Sequence, residues 1–495
     1  MLHGEILRFT HRLHSVSRIS FAPSLSRALG VLAAVLVLAS LIAAPRPARE
    51  LGVATRDFEA YWAAGRVALT GGSPYDGAAL WAAERQVPGV DGTREELLPF
   101  VSPPAAVPLF ATLARLPYER ARLLWLGMLA VCCALGAWAS FAAAGWGPRE
   151  AALAALAALT FSPLTATLAL GQLAGLSFGL LAVALLVLPR PLGGIALAGS
   201  TLQPNLALAA LAGLRRATLG VYLLAGALAA AAGAATMRYL DGGIPGYLAM
   251  LAQHGAAEHN DVIQVSLPSL LAAAMPHDWT LSGAPAALGA VAAAALVAAL
   301  APRLEPRAGA ALACALLPFA MPFFHFQDLI VTLLPAAIAL RAWQSRGALT
   351  GALGAAFVAM DWLDFAQQPA SRYEDLFLGA AAACAVAALH PSRRALWLAA
   401  PTLLAIALMP LAAAHPIPLW PFALPHAFHV PAGLDAAAVW AREQAASGLT
   451  HTNSLWVALR ALPLLGCAML AAAVAATSRD APRSKMSRRD PVPVP

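Results

Sequence analysis

The chain has 495 residues, of which 60% are hydrophobic and only 12% charged, and its mean hydropathy is +0.70. Water-soluble domains carry roughly a quarter of their residues charged, so a soluble fold is excluded and a polytopic membrane protein is expected. The net charge of +7 is carried almost wholly by arginine, Lys485 being the only lysine, and with no basic face interleaved with aromatics it gives nucleic-acid binding no footing.

In chain order, a basic leader over 1–27 with Arg8, Arg12, Arg18 and Arg27 precedes an apolar run over 28–44, the plan of an uncleaved signal anchor. Apolar blocks of about 16 to 24 residues then recur, the length of helices crossing a hydrocarbon core, without the alternation of a membrane barrel. The expected class is therefore all-α, a polytopic bundle of about 12 transmembrane helices. Laying the arginine clusters on the cytoplasmic side makes 45–119 the first external loop, followed by further external loops at 237–281 and 414–454. That alternation holds only if the block 192–214 enters and returns as a broken, re-entrant hairpin. Its middle, Gly199-Ser200-Thr201-Leu202-Gln203-Pro204-Asn205, carries the proline and polar partners a break requires. The basic, proline-rich tail over 478–495 reads as disordered and cytoplasmic. The five cysteines, Cys132, Cys133, Cys314, Cys384 and Cys467, lie inside apolar blocks without metal-ligand spacing and read as small core residues.

This bookkeeping gathers polar residues on the external face. Asp57, Tyr61 and Gly65 recur at every fourth position, so an amphipathic surface helix would carry them on one face. On spacing alone Asp57 reads equally as a helix cap or as the ion-pair partner of Arg56 or Arg66. Gly71-Gly72-Ser73-Pro74-Tyr75 forms a stop and turn, and a second surface helix is expected over Asp76–Gln86. Ala105–Leu116 is too short to cross alone and reads as an inward-dipping helix or a rigid loop. Gly171-Gln172 stands at the start of a span, where free N–H groups would face an anion. His325 and Asp328 sit at a junction, able to pair with each other, to bind phosphate, or to form an ordinary polar turn. Asp361, Asp364, Arg372, Glu374 and Asp375 read as a solvated junction.

The order Asp57 before an aromatic helix, then Gly72-Ser73-Pro74-Tyr75, Ser102-Pro103-Pro104 with Leu116-Pro117, Gly171-Gln172, Gln203-Pro204 and the His325 cluster resembles glycosyltransferase family 87, over about 28–410. The resemblance implies a GT-C type membrane enzyme that moves a hexose, mannose above all, from a polyprenyl-phosphate donor to a lipid, glycan or protein acceptor. It further implies an inverting, metal-independent displacement with no cofactor, at the external face of a bacterial inner membrane. Asp57 matches the family's essential aspartate and would be the general base. Arg66, Arg56, His325, Gln172 and Gly171 are the candidates for the donor phosphate, with Tyr61, Tyr75, Gln203 and Asp328 lining the substrate. One departure is Gln203-Pro204, where the family often has Lys-Pro. The competing reading is a transporter or flippase of lipid-linked sugars, which would place polar residues at mid-depth in several spans and show a two-fold repeat. A catalytically dead assembly partner is the remaining possibility.

Overall fold

The computed structural model describes residues 23–43, 55–88, 90, 95–240, 242–258, 261–274, 284–341, 347–367, 372–390, 392–451 and 453–480; most of the expected leader and tail lies outside them. The described residues are all-α, with short 3-10 turns and two isolated β-bridges.

The expectation of about twelve spans is corrected by the helices themselves. Four are long and apolar enough to cross a membrane, namely Tyr118–Ala143, Arg216–Tyr239, Arg393–Ala414 and Ser454–Ala476. A fifth is reached only if Pro148–Thr160 and Ser162–Leu170, bent by 68°, act as one span. This is still the make-up of a multi-pass membrane protein. The miscount has two physical causes. Proline, glycine and tight turns cut several apolar blocks: 171–188 yields a helix only from Ala174 to Leu186, and 327–341 divides into the 3-10 turn Phe326–Thr332 and the helix Leu333–Arg341. Spanning needs about 20 helical residues, which these pieces lack. Other blocks are apolar because protein surrounds them: in Pro306–Ala320 every residue from Gly309 to Pro318 is buried, as in a core helix.

The block 192–214 does break, into Pro191–Ser200 and Pro204–Gly213, with Thr201, Leu202 and Gln203 forming the turn. The pair bent as one candidate span is nevertheless 148–170, so the re-entrant hairpin falls with the span count.

The first loop region forms its own aromatic core. Phe58, Tyr61, Trp62, Trp81, Phe100 and Phe110 pack with Trp125 of the spanning helix Tyr118–Ala143. The helix Arg56–Leu69 is accordingly buried along most of its length, Arg56, Glu59 and Gly65 included, and is no half-solvated surface helix. It lies so close to Val107–Leu113 that a Cβ on Gly65 would stand 2.3 Å from the Phe110 carbonyl oxygen. The second expected helix runs from Gly77 to Glu84, capped by the Asp76 carboxylate on the Ala79 N–H at 2.7 Å.

Candidate active site

Three local features bring the start of the helix Arg56–Leu69 to the end of Ser162–Leu170. Thr55 takes a left-handed conformation, φ 59°, and donates its N–H to the Ala169 carbonyl at 2.6 Å. Gly171 is also left-handed, φ 73°, and ends the helix Ser162–Leu170, which returns the chain against Phe58. The Trp125 indole N–H then donates to the Gly171 carbonyl at 2.6 Å. Gln172 is thereby carried to Asp57.

Asp57 faces a cavity of about 620 Å³. Its Oδ2 accepts from Gln172 Nε2 at 2.5 Å, and Gln172 Oε1 in turn accepts from the Tyr61 hydroxyl at 2.9 Å. Enclosure by protein raises the carboxyl to about 6; the Gln172 hydrogen bond, His325 and Arg56 act the other way, and Asp328 adds to the rise. Asp57 therefore neither caps its helix nor takes Arg56, whose guanidinium meets Glu59 at 3.1 Å and Glu96 and stacks 5.1 Å over the Trp420 ring. A carboxylate ionising near neutrality beside an open cavity has the properties of a general base.

Across the cavity stands His325, at the N-terminus of the turn Phe326–Thr332. Its backbone N–H donates to Asp328 Oδ2 at 3.1 Å, while Asp328 Oδ1 accepts from Gln203 Nε2 at 2.6 Å. The expected spacing of His325 and Asp328 is thus a helix-capping contact, and the imidazole goes elsewhere: its Nε2 lies 3.2 Å from Glu258 Oε2. Burial opposes charge on this ring, but Glu258 beside it, with Asp328 and Asp261, lifts it to about 9. The cavity is thus lined by a carboxyl that burial raises and by an imidazole whose charged form Glu258 favours.

The remaining candidates divide. Arg56, Tyr61, Gln172, Gln203 and Asp328 all line the cavity together with Asp57 and His325. Tyr75 stands behind the wall, its hydroxyl donating to the Ser102 carbonyl at 2.9 Å and its ring 5.5 Å from Tyr247, which does line the cavity. Arg66 is exposed and lies 5.7 Å over the Trp62 ring, outside the cavity wall. The N–H groups of Gly171 and Gln172 are spent on the Leu168 and Thr167 carbonyls, so this turn closes a helix and its amides do not face the cavity. Of the residues read as a solvated junction, Asp364, Arg372 and Asp375 are buried, Glu374 is half-buried and Asp361 lines the cavity.

Sequence reasoning missed Glu258, His254, Trp420 and Trp440 as cavity residues. They lie in the stretches 237–281 and 414–454, read only as external loops. The one signal was an acid, a histidine and two tryptophans in otherwise apolar surroundings, too common to single out.

Residues 100–322, a little under half of the chain, match the model described as Glycosyltransferase family 87. No curated protein and no solved structure gives a significant match. The matched stretch takes in Gln172, Gln203 and Glu258, while Asp57 and His325 flank it on either side. Over that stretch the chain is similar to the GT-C type glycosyltransferases of family 87, which supports a glycosyltransferase role for a membrane protein.

Proposed function

We propose that this enzyme moves a hexose, most simply mannose, from a polyprenyl-phosphate donor to an acceptor hydroxyl with inversion at the anomeric carbon. The observation that carries the reading is the pairing of Asp57, raised to about 6, with His325, held up to about 9, across one cavity. In the reaction the acceptor O–H gives its proton to Asp57 as its oxygen bonds to the anomeric carbon. The bond from that carbon to the phosphate oxygen breaks, and the electron pair stays on the phosphate. Charge growing on that phosphate is met by the His325 imidazolium, already oriented before the reaction begins. Gln172, itself held by the Tyr61 hydroxyl, holds Asp57, and Gln203 holds Asp328 beside His325.

The lipid tail has a path of suitable chemistry. A groove of about 500 Å³, walled mainly by alanine, leucine and valine with Arg215 and Pro302, shares the lining residue Leu208 with the cavity. The acceptor is a glycolipid, glycan or protein presented at the outer face of a bacterial inner membrane. That face rests on the resemblance alone, because the charge bookkeeping assumed crossings that the helices do not make.

The test is transfer from a short-chain polyprenyl-phosphate mannose into membrane lipid extract by the purified protein. Asp57→Asn should lower the rate by ~10²- to 10⁴-fold, the usual contribution of a general base. Equal transfer by both proteins would sink the assignment. Labelling of a cysteine placed at the exposed position Arg66, from one side of sealed vesicles, decides the face.

A further inference from the structure

The His325 ring is held by an apparatus larger than one contact. Glu258, the last residue of the helix Gly243–Glu258, is 2% exposed, and both its oxygens are occupied. Oε1 accepts from Trp440 Nε1 at 2.6 Å and from Gln444 Nε2 at 3.2 Å, both on the helix Ala436–Ala446. Oε2 accepts from Gln264 Nε2 and lies 3.2 Å from His325 Nε2. Gln264 cannot turn over, because its Oε1 accepts the Phe324 N–H at 2.6 Å. The backbone is braced as well: Gln264 and His325 form a β-bridge, Val265 N–H donates to the Phe324 carbonyl at 2.6 Å, and Arg460 Nε donates to the Gln264 carbonyl at 2.6 Å.

This geometry commits Nε2 of His325. His325 Nε2 stands 2.9 Å from Gln264 Nε2 and 3.2 Å from Glu258 Oε2, and a charged ring donates there to Glu258 and carries its second proton on Nδ1. A buried carboxylate left without a cation costs several kcal/mol, so Glu258 favours the charged ring. We propose that Glu258 is a positioning residue for the transfer, orienting His325 through Nε2 and keeping it an imidazolium whose Nδ1–H is offered to the donor phosphate. The proposal rests on the reading of the cavity as a donor-phosphate site.

The groups facing His325 are Glu258 and His254 on one helix, Asp261 in the loop that follows, Asp328 in its own turn and Asp57 across the cavity. Burial lowers His254, with Glu258 acting the other way, and Asp261 is raised to about 8 by burial and by Glu258. Glu258 itself is drawn to about 2: burial opposes its charge, and His325 overrides that opposition. Glu258, 3.2 Å from the ring and held at both oxygens, is the acid placed to favour its charged form.

The experiment uses the full chain in detergent or nanodiscs, as wild type, Glu258→Gln and Trp440→Phe. The His325 imidazole is titrated by NMR, its resonance assigned by loss in His325→Gln, and donor KM and kcat are measured against pH. In Glu258→Gln the His325 titration should fall by about one unit or more, and kcat/KM for the donor at pH 8.5 should fall ~10-fold or more, with kcat lowered as well. Trp440→Phe, which loosens the tether and leaves the charge, should lower thermal stability without moving the titration. A folded Glu258→Gln protein whose His325 titrates as in wild type overturns the proposal. Should that variant fail to fold, Glu258→Asp withdraws the carboxylate by one methylene, and an unmoved titration there overturns it equally. A shifted titration with no turnover of polyprenyl-phosphate mannose by wild type would leave the Glu258–His325 coupling standing and refute the donor reading instead.

Discussion

Removing the amide that holds Asp57 should move the acid limb of the rate profile. Gln172 Nε2 donates to Asp57 Oδ2, and this bond favours the ionised carboxylate, working against the enclosure that raises it to about 6. A hydrogen bond to a charged group contributes ~1.5–3 kcal/mol, and one pKa unit corresponds to ~1.4 kcal/mol, so Gln172→Leu should raise Asp57 by about one to two units. A general base must be deprotonated to act, so activity appears as pH rises through its value. The acid limb of kcat/KM should accordingly shift from about 6 in wild type to about 7–8 in Gln172→Leu. Tyr61→Phe is the control: it deletes the hydroxyl that binds Gln172 Oε1 and leaves the Gln172–Asp57 bond, so its limb should stay near that of wild type. The assay is initial transfer rate from a short-chain donor between pH 5 and 10 with folding verified at each end. An acid limb that does not move in folded Gln172→Leu would refute the reasoning, whether because Asp57 is not the titrating base or because the amide does not govern it.

The other expectations concern the frame around the site. Gly65→Ala places a Cβ 2.3 Å from the Phe110 carbonyl oxygen, and such overpacking should cost ~1–3 kcal/mol in thermal unfolding. It should also disturb Tyr61, whose ring stacks on Phe110 at 4.6 Å. Gly171→Ala forces a side chain into the left-handed region at a Cβ distance of 3.2 Å from Phe58 Cβ; a loss of ~1–2 kcal/mol is expected, together with reduced activity from displacement of Gln172. The raised His325 makes stability depend on pH in a definite sense. Its contribution is full below the ordinary histidine value of 6.5 and is lost as pH rises through about 9. Melting temperature should therefore decline over that window in wild type, and the decline should be smaller in His325→Gln.

The division between sequence and tertiary structure follows from the range of the interactions. Composition excluded a soluble fold, and local chemistry announced the helix that begins beside Asp57, the short helix that follows Tyr75 and the break before Pro204, because each depends on neighbours a few residues away. The ordered motifs also pointed to the family whose model matches residues 100–322. An apolar block, however, reports an environment without water and cannot tell lipid from protein. That is why a block such as 308–324 read as a span although its stretch from Gly309 to Pro318 is buried in protein. The site itself is assembled over long separations: Gln172 reaches Asp57 across 115 positions, and Trp440 reaches Glu258 across 182. No periodicity encodes such a meeting. Which amide holds the base, and that the His325 imidazole turns to Glu258 rather than to Asp328, were decided only when the chain closed on itself.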